Sequence, residues 1–251
     1  MLNPVRVRGP SSATERRSGR DRGQQVNRSA IWSNVKCLPK FLNKRLVTGR
    51  EMDAPNLRRA GTILIVGVGQ FAFCFALAEI YYPGYNVSVQ TISDLGATCK
   101  SGVCEFVQPS SDIFNASIVL LGIMLLVTAY FLRMGSGSKS LSLFEGLAGV
   151  GSIGVGIFNE SYGVAHVFFS AFAFFSIGIQ ALLVFKVAKP PLSYFSAVTG
   201  VITLVAIVLY GSDTYLGLGQ GGMERMIVYP VLLGALAFGG YLMAIGEAYL
   251  R

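Results

Sequence analysis

Six apolar runs, each close to the length that crosses a hydrocarbon core, dominate this sequence and leave few folds open to it. A helix needs about 20 residues for that crossing, and the runs lie at roughly 60–82, 113–134, 141–158, 165–187, 191–211 and 226–249. None alternates apolar and polar residues along barrel-length strands, so helices are the predicted spanning elements. With 52% hydrophobic and 14% charged residues, the chain falls outside the range of ordinary soluble domains. The expectation is an all-α polytopic membrane protein, a six-transmembrane-helix bundle over residues 56–251.

The net charge of +8 is unevenly placed. Residues 1–60 hold 14 of the 21 Lys and Arg and 4 of the 13 acids, so residues 61–251 are left with a net charge of −2. A uniformly basic surface for nucleic acid is therefore excluded, and no nucleic-acid partner is expected. The basic segment has no sustained apolar periodicity and no signal-peptide core. Residues 1–55 are predicted to be a disordered tail, of which IWSNVKCLPKFLNKRL could lie on anionic lipid. Met52 stands just ahead of DAPNLRRAGTILIV, so residues 1–51 read either as a dispensable tail or as an over-extended start.

Lys and Arg accumulate in short cytoplasmic loops. Arg58 and Arg59, Arg133 and Lys139, Lys186 and Lys189, and Arg251 all fall on one side of the predicted bundle. The other side carries mainly acids, including Asp94, Glu105, Asp112, Glu160, Asp213 and Glu224. Both termini are thus predicted to be cytoplasmic, with the chain a multi-pass protein of the cell membrane. Cys99 and Cys104, in CKSGVC, then lie in an oxidising compartment, where a disulfide is the expected pairing.

That topology gathers polar residues from distant parts of the chain at the extracytoplasmic face. The candidate cluster is Asp94, Asn115, Asn159, Glu160, His166, Glu224, Arg225 and Tyr229, with Glu79 nearby. His166 is the only histidine and follows Glu160 in NESYGVAHVFF. Ionisable groups near membrane depth tend to face a bundle interior or a wet cavity, usually paired. Two chemistries are open to the cluster. His166 with Asp94, Glu160 and Glu224 could hold zinc or another divalent metal and activate water. Alternatively, the groups hydrogen-bond one another and tie helix ends together, with Arg225 paired to Glu160 or Asp94.

Other features have structural explanations. Ala148, Ser152 and Gly156 stand at four-residue spacing in the third run, as close helix packing requires. Gln70 and Gln180 are expected to bond to neighbouring helices. Pro230 is placed in the first turn of the sixth helix, where its missing donor matters little. The GLGQGGM stretch before it reads as a flexible loop.

Four ordered segments carry a family resemblance: YYPGYNVSVQTISDLGA (81–97), IFNASI (113–118), GVGIFNE (154–160) with His166, and GGMERMIVYPVLL (221–233). Through them the chain resembles domain of unknown function 998, a family of prokaryotic, largely archaeal, integral membrane proteins. The ISDLG-then-IFN order is also similar to the damage-regulated autophagy modulator family, whose members have six helices. In the first family proline often precedes the glutamate, where this chain has Asn159. The resemblance implies a six-helix membrane protein with its motif residues clustered outside the membrane, and it assigns no substrate.

The leading expectation is a non-enzymatic membrane protein whose outer polar cluster positions helix ends and binds a lipid headgroup or small solute. Membrane lipid is the expected partner and no cofactor is predicted. The alternative is a metal-assisted hydrolase acting on lipid, with His166, Asp94, Glu160 and Glu224 as ligands or acid–base groups. Transport comes third, because few polar residues continue through the helices.

Overall fold

The computed structural model describes residues 53–250. The predicted tail lies outside the described residues except for its last three positions. Six helices follow: α1 (Ala54–Ile80), α2 (Ser110–Ser136), α3 (Lys139–Ile157), α4 (Val164–Val187), α5 (Leu192–Gly211) and α6 (Gly219–Leu250). All six are long and apolar enough to cross a membrane, so the chain is an all-α, multi-pass membrane protein.

Two helices start earlier than their apolar runs. In α1, Asp53 Oδ1 accepts from the Asn56 N–H (3.2 Å) and Pro55 sits in the first turn, two features that begin a helix whether or not it is apolar. In α6, residues of the expected flexible loop form the first turn instead. The Gly221 N–H donates to the Ser88 carbonyl at 3.1 Å. A Cβ at Gly219 would lie 2.1 Å from Ser88 O, and one at Gly221 only 2.0 Å from Gln90 O. These glycines are a contact surface for the chain at 88–90. As a further correction, Pro230 lies inside α6, where its missing N–H leaves one helical carbonyl without its usual partner.

Each helix packs against the next and α6 returns against α1, closing a ring. Small residues allow the closest crossings: a Cβ on Gly122 of α2 would sit 2.6 Å from Gly149 O of α3. Leu57, Leu64 and Phe71 of α1, Leu121 and Leu132 of α2, and Phe238 and Leu242 of α6 fill much of the core. Gln70 Nε2 reaches Ser117 O on α2 (3.0 Å), and Gln180 of α4 donates to Glu145 of α3.

The two ends of the bundle differ. The start of α1 and the end of α6 lie at one. The connection from α1 to α2 covers the other, with a 3₁₀ turn at Ser93–Leu95 and a hairpin of β1 (Thr98–Lys100) and β2 (Val103–Glu105). Ser101 and Gly102 both have positive φ, as a two-residue turn matched to strand twist requires. Cys99 and Cys104 face each other across the hairpin and are joined by a disulfide.

Candidate functional site

Successive residues on a helix point about 100° apart, and at the start of α6 this separates two neighbouring ionisable side chains. Arg225 turns toward α1 and the covering connection. Its Nη2 pairs with Glu79 Oε1 at 2.6 Å and donates to the Tyr85 hydroxyl at 2.8 Å. Its Nη1 donates to the carbonyls of Val87 (3.1 Å), Gln90 (3.2 Å) and Gly221 (2.9 Å). The Tyr85 hydroxyl passes the chain on to Thr91 O at 2.6 Å. The expected pairing of Arg225 with Glu160 or Asp94 is therefore corrected: α6 aims the guanidinium at α1, where Glu79 waits.

Glu224 turns the other way and is 4% exposed. Its carboxylate accepts from the Ile92 N–H and from Ser93 Oγ (3.0 Å), which ties the 3₁₀ turn to α6. Asp94 stays within that turn. It accepts from the Thr91 N–H (2.8 Å) while Thr91 Oγ1 accepts from the Asp94 N–H (3.0 Å). The Thr91 hydroxyl also donates to Glu160 Oε1 at 3.2 Å, linking the turn to the segment between α3 and α4.

Asn115 and Asn159 are local ties. Asn115 Nδ2 donates to Gly96 O (3.0 Å), and a Cβ at Gly96 would lie 2.5 Å from Asn115 Oδ1, so the ISDLG glycine is a point of close approach. Asn159 Oδ1 caps the short turn at Glu160–Tyr162 by accepting from the Ser161 N–H (3.2 Å) and hydroxyl (2.6 Å). Tyr229 lies on an exposed face of α6, edge-on to Phe75. His166 is buried at the start of α4. Its Nδ1 bonds to Phe158 O at 2.8 Å, so Nδ1 carries the proton and Nε2 is left to accept from Ser170 Oγ (3.3 Å).

Beside this clasp lies a cavity of about 620 Å³ between α4, α5 and the start of α6. Of the eight cluster residues expected from the sequence, Glu160, His166 and Glu224 line it, and the other five do not. Tyr210 and Gln220 line it too, with Gln220 Nε2 donating to the Tyr210 hydroxyl at 3.1 Å. Sequence reasoning missed both, because Tyr210 ends an apolar run and Gln220 lay in the supposed flexible loop. Ser93 and Ser170 add hydroxyls, and the rest of the wall is largely apolar and includes Phe174, Phe175, Ile207 and Ile227. Val167 and Val208, each 65% exposed, carry the rim to the outer surface of the bundle. Beneath it, a smaller apolar cavity of about 90 Å³ shares Ser93, Phe174 and Glu224 as walls.

Burial, and then the nearby charges of Asp94 and Glu224, push the Glu160 carboxyl up to about 8. Burial likewise pushes the Tyr85 phenol up, against the pull of Arg225. Asp94 is held by Thr91 and both His166 nitrogens are engaged within the chain. Among the described residues, no three His, Cys, Asp or Glu side chains form a group that could hold a metal ion.

Spanning helices closed at one end by a polar clasp, with a mixed-wall cavity beside it, define a multi-pass membrane protein of the six-helix class. The family profile described as "Protein of unknown function (DUF998)" matches residues 65–241, which include all four motif segments, and the chain belongs to that family. No curated protein and no solved structure matches the chain.

Proposed function

We propose that the protein binds a membrane amphiphile, a lipid or a small solute with an apolar part, in the cavity between α4, α5 and α6, without chemical conversion. The observation that carries this reading is the mixed wall. Glu160, His166, Tyr210, Gln220 and Glu224 offer polar groups, while apolar side chains continue to a rim of exposed valines. Its volume suits a drug-sized ligand or an amphiphile's head and upper chain. In this reading the clasp of Arg225, Glu79 and Tyr85 serves structure, holding the covering connection in place so that the cavity keeps its shape.

The protein sits in the cell membrane with the clasp outside and both termini on the cytoplasmic side. The short loops at the opposite end support this orientation, since they carry Arg133, Lys139, Lys186 and Lys189. Native mass spectrometry of the detergent-purified protein tests the binding reading. Wild type should retain a co-purifying amphiphile, and Ala171→Trp, which fills the cavity from α4, should lose it while unfolding at a similar temperature. An identical bound complement in both proteins would overturn the proposal.

A further inference from the structure

Among the described residues, two acids line the cavity and no Lys or Arg does. The Arg225 guanidinium faces the other side of α6, where its two Nη atoms are engaged by Glu79, Tyr85 and three carbonyls. Among the described residues, neither Glu160 nor Glu224 has an ion-pair partner. Acids in a buried, low-dielectric wall usually meet a cation, and here no described residue supplies one on the cavity side. Glu160 accepts from Thr91 Oγ1 and the Cys99 N–H, and Glu224 from the Ile92 and Ser93 N–H groups and Ser93 Oγ, so the four lone-pair sites of each carboxylate leave room for a further donor.

The apolar remainder of the wall decides what kind of cation fits. A hydrated metal ion would leave Phe174, Phe175, Ile207 and Ile227 facing empty or wet space, and His166 has both nitrogens engaged. A chain-bearing amine satisfies both halves, with its ammonium against the acids and the Tyr210 hydroxyl and its tail along the apolar wall toward the rim. We propose that the cavity selects amphiphiles with a cationic amine head, seated against Glu160 and Glu224. This selection rests on the amphiphile-binding reading given above.

The test uses the full chain in lipid nanodiscs at pH 9, where Glu160, raised to about 8, is ionised and an alkylamine is still cationic, and compares dodecylamine, dodecanol and dodecanoate, which share one tail. Butylamine serves as a soluble amine without a tail. Charge-assisted hydrogen bonds favour the amine over the alcohol by roughly 10-fold or more, with dodecanoate weakest and butylamine too weak to measure. In Glu160→Gln the amine's advantage over the alcohol should shrink several-fold. The comparison of ligands on wild type stands by itself if that variant does not fold. Equal binding of amine, alcohol and acid would overturn the charge selection while leaving the cavity reading intact. Butylamine binding as tightly as dodecylamine would overturn the amphiphile requirement in both proposals. No binding by any of the tailed compounds would remove the cavity reading itself.

Discussion

Glu224 and Arg225 are adjacent in sequence and stand in opposite situations. On the Arg225 side, a guanidinium meets a carboxylate, a phenol and three carbonyls, and the space is closed. On the Glu224 side, two acids and a histidine border about 620 Å³ of unfilled volume. The polar residues at this end of the bundle are therefore not one cluster. Both sets fasten the covering connection to the helices, and the second also borders a space that something else can occupy. A buried polar group with all its partners in the chain contributes to specificity of the fold, whereas one facing a cavity is available to a ligand.

That contrast can be broken most severely from the clasp side. Arg225→Ala leaves Glu79 without its ion partner and three carbonyls without their donor, and removal of one member of a buried pair typically costs about 3–5 kcal/mol. Thermal unfolding of the purified protein should show the largest loss for this variant. Arg225→Ala and Glu79→Gln should also be strongly non-additive, because they remove the same interaction. Additive losses would mean that the pair is not the fastening.

A smaller effect is expected from His166→Ala, which strands Phe158 O and opens space beneath it, at roughly 1–3 kcal/mol. Metal content measured by mass spectrometry on the same samples sharpens the result. Near-stoichiometric zinc in wild type that disappears in the variant would move His166 from the structural set to a ligand set.

The effect at Glu160 depends on pH and has a defined sign. Its folded-state value of about 8 lies above the ordinary 4.5, so ionisation penalises the folded state. The penalty is absent below about pH 4.5, grows as the pH rises and is complete above about 8. Wild type should therefore lose thermal stability progressively relative to Glu160→Gln between pH 5 and pH 8. A constant difference across that range would show that Glu160 is solvated like a surface acid.

Much of the fold is legible in the sequence, because hydrocarbon thickness imposes a minimum length on each apolar run. The starts of α1 and α6 are not, since hydropathy reports burial and says nothing of a capped polar turn such as Asp53–Asn56. The glycine run at 219–222 misleads for a related reason: glycine marks both a flexible link and a point where backbones touch, and only the position of Ser88 and Gln90 distinguishes them. Within the site, sequence and membrane sidedness can propose which residues share a face. They cannot show which of two neighbouring side chains turns inward or outward, so neither the place of Tyr210 and Gln220 in the cavity wall nor the pairing of Arg225 with Glu79 is legible there.

The order of residues along the chain is enough to fix the solvent it folds in, the number of its helices and the polar residues available at its capped end. These follow from composition and from local periodicity, which any short window of the chain carries. The tertiary structure alone decided that Arg225 and Glu79 close one side while Glu160, His166 and Glu224 line a cavity on the other. The phase of each helix about its own axis sets where a side chain points, and that phase is established only when all six helices pack together.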